Sequence, residues 1–234
     1  MTRWMAAAAL VALPGSAGAQ ALSCALPDTI AAPVPDLPSA SQPVRRLPIG
    51  SYTLAVTWSP QYCRDHGDGR DARFQCGSAN RFGFVLHGLW PDGKGKEWPQ
   101  YCRSTPILPM AVLRRHLCAT PSTQLLQHEW AKHGTCMAGY SPERYFSQSN
   151  AMYGRLHFPD MAALSRRRLT AGAMAAAVAS VNPGIRADMM RVTATKQGWL
   201  DEIWFCVDKA FRFTRCPAHQ GGLRPGAPLR IWRG

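Results

Sequence analysis

Eight cysteines, Cys24, Cys63, Cys76, Cys102, Cys118, Cys136, Cys206 and Cys216, constrain this 234-residue chain more than any other feature. An even number of thiols in an oxidising compartment reads as a disulfide framework, and the fold must bring those residues together in pairs. Spacing alone leaves on the order of a hundred pairings open. The N-terminus agrees with export. Residues 1–19 begin Met1-Thr2-Arg3, run apolar from Trp4 to Leu13 and end Ala17-Gly18-Ala19. That is the pattern of a secretory signal peptide, with the mature chain expected to begin near Gln20 in the periplasm or outside the cell. The apolar run is too short to cross a bilayer and no later segment exceeds it, so no membrane span is expected.

Residues 20–49 include Pro27, Pro33, Pro35, Pro38, Pro43 and Pro48 with little apolar content, which reads as an extended tether. Residues 50–234 suit one domain with a sizeable core, and no internal repeat is visible. In SYTLAVTWSP, Tyr52, Leu54, Val56 and Trp58 alternate with smaller residues, the mark of a half-buried strand. RFGFVLHGLWP repeats the pattern and places His87 at the end of its strand. EIWFCV and AFRFTRCP read as two further strands joined by a turn at Asp208-Lys209. Residues 107–117, 122–133, 141–157 and 169–181 carry helical patterning. Strands and helices do not alternate regularly, so an α+β domain with a largely antiparallel sheet and several helices is expected.

HEWAKHGTC, residues 128–136, concentrates two histidines, a glutamate and a lysine before a cysteine. At roughly 100° per residue, His128, Lys132, Glu129 and His133 lie near 0°, 40°, 100° and 140°, with Trp130 and Ala131 opposite. One face is therefore polar and the other can anchor in a core. Gly134 is placed to end the helix in a left-handed conformation. A solvated helix face would show the same clustering. A zinc protease helix needs histidines at i and i+4, whereas these are at i and i+5, and Lys132 between them would repel a cation.

The second motif is FVLHGLWPD, residues 84–92. Together the two stretches closely resemble the two active-site segments of the T2-type ribonuclease family, in order, separation and cysteine context across roughly residues 50–220. The resemblance implies a disulfide-stabilised α+β fold and a cofactor- and metal-independent endoribonuclease acting on single-stranded RNA, expected as a monomer. In that chemistry the 2′-hydroxyl attacks the adjacent phosphorus, expels the 5′-oxygen and leaves a 2′,3′-cyclic phosphate that is later opened to a 3′-phosphate. One group must accept a proton and another must donate one, tasks suited to histidine with its unperturbed pKa near ~6.5.

By resemblance, His133 is the general base and His87 the general acid. Lys132 and His128 hold phosphate oxygens, while Glu129 orients the cluster and assists the transition state. Trp90 is placed to stack on a base or to pack a turn, and Asp92 to accept a hydrogen bond from an exocyclic amine. His66, His116, His157 and His219 match no such position and read as surface or structural residues. The family pattern pairs Cys102 with Cys136 and Cys206 with Cys216. Cys63 with Cys76 is a plausible local loop, which leaves Cys24 to Cys118. The net charge of +13 favours a polyanionic partner, although Arg114-Arg115 and Arg166-Arg167-Arg168 read more simply as solvated helix faces.

Overall fold

The computed structural model describes residues 21–77 and 79–234; the expected leader at residues 1–19 lies outside them. Its centre is a four-stranded antiparallel sheet of β1 (Ser51–Trp58), β2 (Phe84–Asp92), β3 (Met190–Ala194) and β4 (Leu200–Val207), in the order β2-β1-β4-β3. β1 is an inner strand, so Tyr52 through Val56 are all buried rather than alternating in and out. Among the described residues, five helices of more than one turn surround the sheet. They are α1 (Ser59–His66), α2 (Met110–His116), α3 (Thr123–His128), α4 (Pro142–Tyr153) and α5 (Ala171–Ser180). Three begin at side-chain caps that satisfy otherwise orphaned amides: Ser122 accepts from Leu125, Ser141 from Arg144 and Thr170 from Ala173. Pro60 and Pro142 start α1 and α4, where the missing N–H costs nothing.

Several local expectations are corrected. β2 does not end at His87; it continues through Asp92, with Thr53 opposite Trp90 and Ser51 opposite Asp92. His87 sits instead in a bulge, since Ala55 pairs with Gly88 and Val56 with Leu86, leaving one residue of β2 extra. Bulges of this kind re-aim a side chain without ending a strand. The hairpin partner of β4 is β3, not residues 210–217. That later stretch makes a single bridge, Val207 to Phe213. Asp208 captures the amides of Ala210 and Arg212, and Phe211 takes a φ of +59°, both incompatible with a regular strand.

The disulfides are Cys24–Cys118, Cys63–Cys76, Cys102–Cys136 and Cys206–Cys216, the same pairs anticipated from the sequence. The proline-rich segment is extended yet docked along its length. Ala25 and Asn80, Val34 and Gln124, and Arg45 and Gln100 are hydrogen-bonded pairs.

Candidate active site

α3 does not continue as an α-helix through HEWAKHGTC. Glu129–His133 widen into a π turn, then Gly134–Cys136 tighten into a 3₁₀ turn. The wider turn brings residues five apart closer together than α geometry would, and the His128 and His133 rings meet edge-on with centroids 6.2 Å apart. Trp130 and Ala131 are buried on the far side, and the indole of Trp130 donates to Thr105 at 2.7 Å. Gly134 is right-handed, with φ −61°, so the expected left-handed ending is corrected. Its glycine is required by packing, because a Cβ there would run into the Trp130 ring and press on Tyr145.

The π turn faces β2 across a cleft of about 510 Å³ lined by His87, Trp90, His128, Glu129, Lys132 and His133. His87 is held from two sides. Nδ1 lies 2.5 Å from Glu202 Oε1 on β4, and Nε2 lies 3.4 Å from Glu129 Oε1. Burial alone would lower its pKa, but Glu202, followed by Glu129 and Asp201, outweighs burial and lifts it to about 9. Glu202 also accepts from Thr57 at 2.8 Å and from the Trp204 indole at 2.7 Å. Burial works to raise its pKa, yet His87 and these donors hold it below the ordinary value.

Glu129 is buried, with Oε2 accepting from the Trp90 indole at 2.9 Å. Burial raises its carboxyl to about 7 against the opposing pull of His87, Trp90 and Lys132. Gly88 makes the approach possible, since any Cβ there would overlap that carboxylate. Trp90 is thus a spacer within the cluster as well as part of the cleft wall. It meets His87 edge-on at 5.0 Å and lies nearly parallel to His133 at 5.6 Å.

His133 has the opposite character to His87. It is buried, its Nδ1 has no hydrogen-bond partner among the described residues, and its neighbours are Lys132, His128 and His87. Burial, then these cations, push its pKa well below the ordinary histidine value. His128 is also lowered, by burial first and by Lys132, with Asp36 opposing. Burial lowers Lys132 as well, against the pull of Glu129 and Asp36.

The residues brought together by two short motifs, a buried carboxylate network and four disulfides decide the kinship. Residues 49–216 match the ribonuclease T2 family. The chain belongs to the ribonuclease T2 family. A "probable ribonuclease" of Haemophilus influenzae is 31% identical over 182 residues, 73% of this chain and 62% of its own length. A "ribonuclease" of Aeromonas hydrophila is 40% identical over 85 residues, 36% of each chain. The alignments thus span less than two thirds of either relative. Among solved structures, the RNase-related protein from Calystegia sepium superimposes with a TM-score of 0.60 at 22% identity, over 78% of this chain and 96% of that one. RNase NT, solved in complex with 5′-AMP, gives 0.59 at 21% identity over 79% and 98%. These two show that this T2 chain shares their fold.

Within this T2 site, Glu202, Trp204 and Asp36 were not singled out from the sequence. Glu202 carries a faint signal, a carboxylate beside Asp201 in the otherwise apolar run LDEIWFCV; Asp36 in VPDLP carries none. Farther along the cleft, Asp92 accepts from the Thr53 hydroxyl at 2.8 Å, and Gln220 donates to that same hydroxyl at 3.0 Å. His219, read as surface or structural, lines this end of the cleft. His116 is buried against Asn150, while His66 and His157 are exposed. Histidine spacing does not by itself exclude zinc, which corrects the expectation from helical geometry. With the π turn, His128, Glu129 and His133 place ligand atoms within 4.8 Å of one another. What disfavours a cation there is Lys132 beside them and the prior engagement of His128 Nδ1 by Asp36 and of Glu129 by Trp90.

Proposed function

We propose that this protein is an exported, metal-independent endoribonuclease that cuts single-stranded RNA through the substrate's own 2′-hydroxyl. The observation that carries the reading is one cleft holding two histidines with opposite proton affinities. Near neutral pH, His133 is neutral and able to accept a proton, while His87 is protonated and able to donate one. Environments that push paired titratable groups apart mark acid and base roles. His133 therefore takes the 2′-hydroxyl proton, through Nε2 because Nδ1 is buried. The resulting alkoxide bonds to phosphorus, and His87 Nε2 protonates the departing 5′-oxygen. The product ends in a 2′,3′-cyclic phosphate, which water opens to a 3′-phosphate with the two histidines exchanging tasks. Lys132 and the Nε2–H of His128 hold the non-bridging oxygens, where charge gathers in the transition state, and His128 holds them more tightly when protonated. Glu129 locks Trp90 and steadies the cationic side of the cleft.

Trp90 walls the cleft where a base would stack, and Asp92 marks a polar end able to read its edge. The four disulfides fit an oxidising compartment, and no helix among the described residues is long and apolar enough to cross a membrane. A soluble monomer in the periplasm or outside the cell is the setting we propose.

An RNA oligonucleotide with one 2′-deoxy sugar, incubated in excess chelator, tests this reading. Cleavage should stop at the bond following that sugar and continue elsewhere, with cyclic phosphate as the first product. DNA should bind with an affinity that falls as salt rises, and remain uncut. Cleavage at the deoxy position, or loss of all cleavage in chelator, would refute the mechanism. The alkaline side of the kcat/KM profile should fall in two steps. His128 loses its proton first, below the ordinary histidine value, and His87 follows near pH 9.

A further inference from the structure

Asp36 lies ahead of the stretch that matches the T2 family, yet it touches the catalytic cluster. Its Oδ2 is 3.0 Å from His128 Nδ1 and accepts a hydrogen bond from the Tyr101 hydroxyl, also at 3.0 Å. The contact is held on every side. Pro35 and Pro38 stiffen the strap on either side of Asp36-Leu37, each fixing its own φ. The side-chain amide of Gln124, on the helix that carries His128, accepts from Val34 N–H at 2.9 Å and donates to its carbonyl at 3.3 Å. Upstream, Cys24 is bonded to Cys118. Downstream, Arg45 and Gln100 exchange both backbone hydrogen bonds at 2.9 Å. Tyr101 is buried and takes a φ of +49°, a strained conformation that persists only where its surroundings demand it. Its N–H donates to the carbonyl of Lys132 at 2.8 Å. One tyrosine therefore ties the N-terminal strap to the catalytic turn.

We propose that Asp36 is a positioning residue of the active site: the strap supplies the carboxylate that accepts the Nδ1 proton of His128, turning Nε2–H toward the scissile phosphate and favouring the charged ring. This rests on the RNA-cleaving reading above. Histidines that bind an anion through one nitrogen need the other nitrogen fixed, and a carboxylate partner does so while favouring the charged ring. The groups facing His128 are Lys132 and His133 on its own turn, His87 from β2 and Asp36 from the strap. Burial and the cationic neighbours all favour a neutral ring, and Asp36 works against them. Without it, the phosphate clamp would lose its charge at a lower pH.

Asp36→Asn tests this, because asparagine preserves size and an acceptor oxygen while removing the charge. In the RNA-free protein, the NMR titration of His128 should move to lower pH and that of His87 should stay in place. In turnover, the first alkaline step of kcat/KM should move the same way. The variant should be about three- to tenfold slower near neutrality, and the gap should close at acidic pH, as expected for a lost charge partner. Asp36→Glu should restore both readouts. In a His128→Ala background, Asp36→Asn should add nothing. An unmoved His128 titration would overturn the proposal, as would a deficit equal at every pH or one that persists without His128. Failure of the parent protein to cut RNA would instead count against the functional reading, and the His128 titration is independent of that outcome.

Discussion

His87 and His133 face the same cleft, but they are held by different kinds of structure. His87 projects from a bulge in β2, and two carboxylates reach it: Glu202 of β4 at 2.5 Å and, from the π turn opposite, Glu129 at 3.4 Å. His133 projects from a π turn whose own neighbours are cationic, and its ring lies against Trp90. Both rings lose water, which by itself disfavours the charged form of each. Carboxylates overcome that penalty around His87, while cations add to it around His133. The difference shows that proton affinity here is set by the charges each ring meets. Two identical side chains thereby acquire opposite resting states.

Removing either ring gives the largest expected effect. His87→Ala and His133→Ala should each lose about a hundred- to ten-thousand-fold in kcat, the usual worth of one positioned proton transfer. Circular dichroism and thermal unfolding should stay near those of the parent. A folded His133→Ala protein that still cut RNA at a near-normal rate would remove the helix side from the chemistry.

Glu202→Gln probes what keeps His87 charged. His87 is raised above the ordinary histidine value, so it is protonated below that value in any case and loses its proton as pH passes about 9. Without the Glu202 charge, the second alkaline step should move toward neutrality while the first stays put. The loss should be about tenfold or more at pH 8 and small near pH 6, because above its pKa a group's protonated fraction falls about tenfold for each further pH unit. A pH-independent loss would mean that Glu202 merely packs.

The two motifs were legible because each compresses chemistry and packing into contiguous residues. In HEWAKHGTC, the split between ionisable residues and Trp130-Ala131 survives in the structure. The α+β class was legible for the same reason: hydrophobic periodicity follows the backbone and needs no distant partner. What escaped depends on partners remote in sequence. The His87–Glu202 contact spans 115 positions, and the His128–Asp36 contact spans 92. The π turn escaped because periodicity assumes regular winding. AFRFTRCP alternates like a strand, but Asp208 and the positive φ of Phe211 turn it away, and the shorter MRVTA at 190–194 takes the place beside β4. The prolines read as an extended tether, yet nothing in them showed where the segment docks.

The smallest effect is expected at the far end of the cleft, where neither proton is moved. Asp92 is raised to about 6 by burial, against the opposing influence of Thr53 and His219. Above that pH it is ionised and can only accept hydrogen bonds; below it, the carboxyl gains a donor. A site that accepts from an exocyclic amine should prefer bases that carry one, and a buried acceptor left unpaired costs about 1–3 kcal/mol. Asp92→Asn should therefore weaken the preference for amine-bearing over keto-bearing bases by about tenfold, while its best substrate is cut at close to the parent rate. The parent itself should lose part of that preference as pH falls through about 6. The raised value has a second consequence, with a definite sign. A carboxyl whose folded pKa lies above its unfolded one destabilises the fold increasingly as pH rises through that interval, and the penalty is complete above the folded value. Asparagine removes that penalty and retains an oxygen for the Thr53 hydroxyl, so the variant should melt no lower than the parent at neutral pH. An unchanged ranking of bases on competing dinucleotides, with or without a change in melting temperature, would show that Asp92 closes the cleft without reading what lies in it.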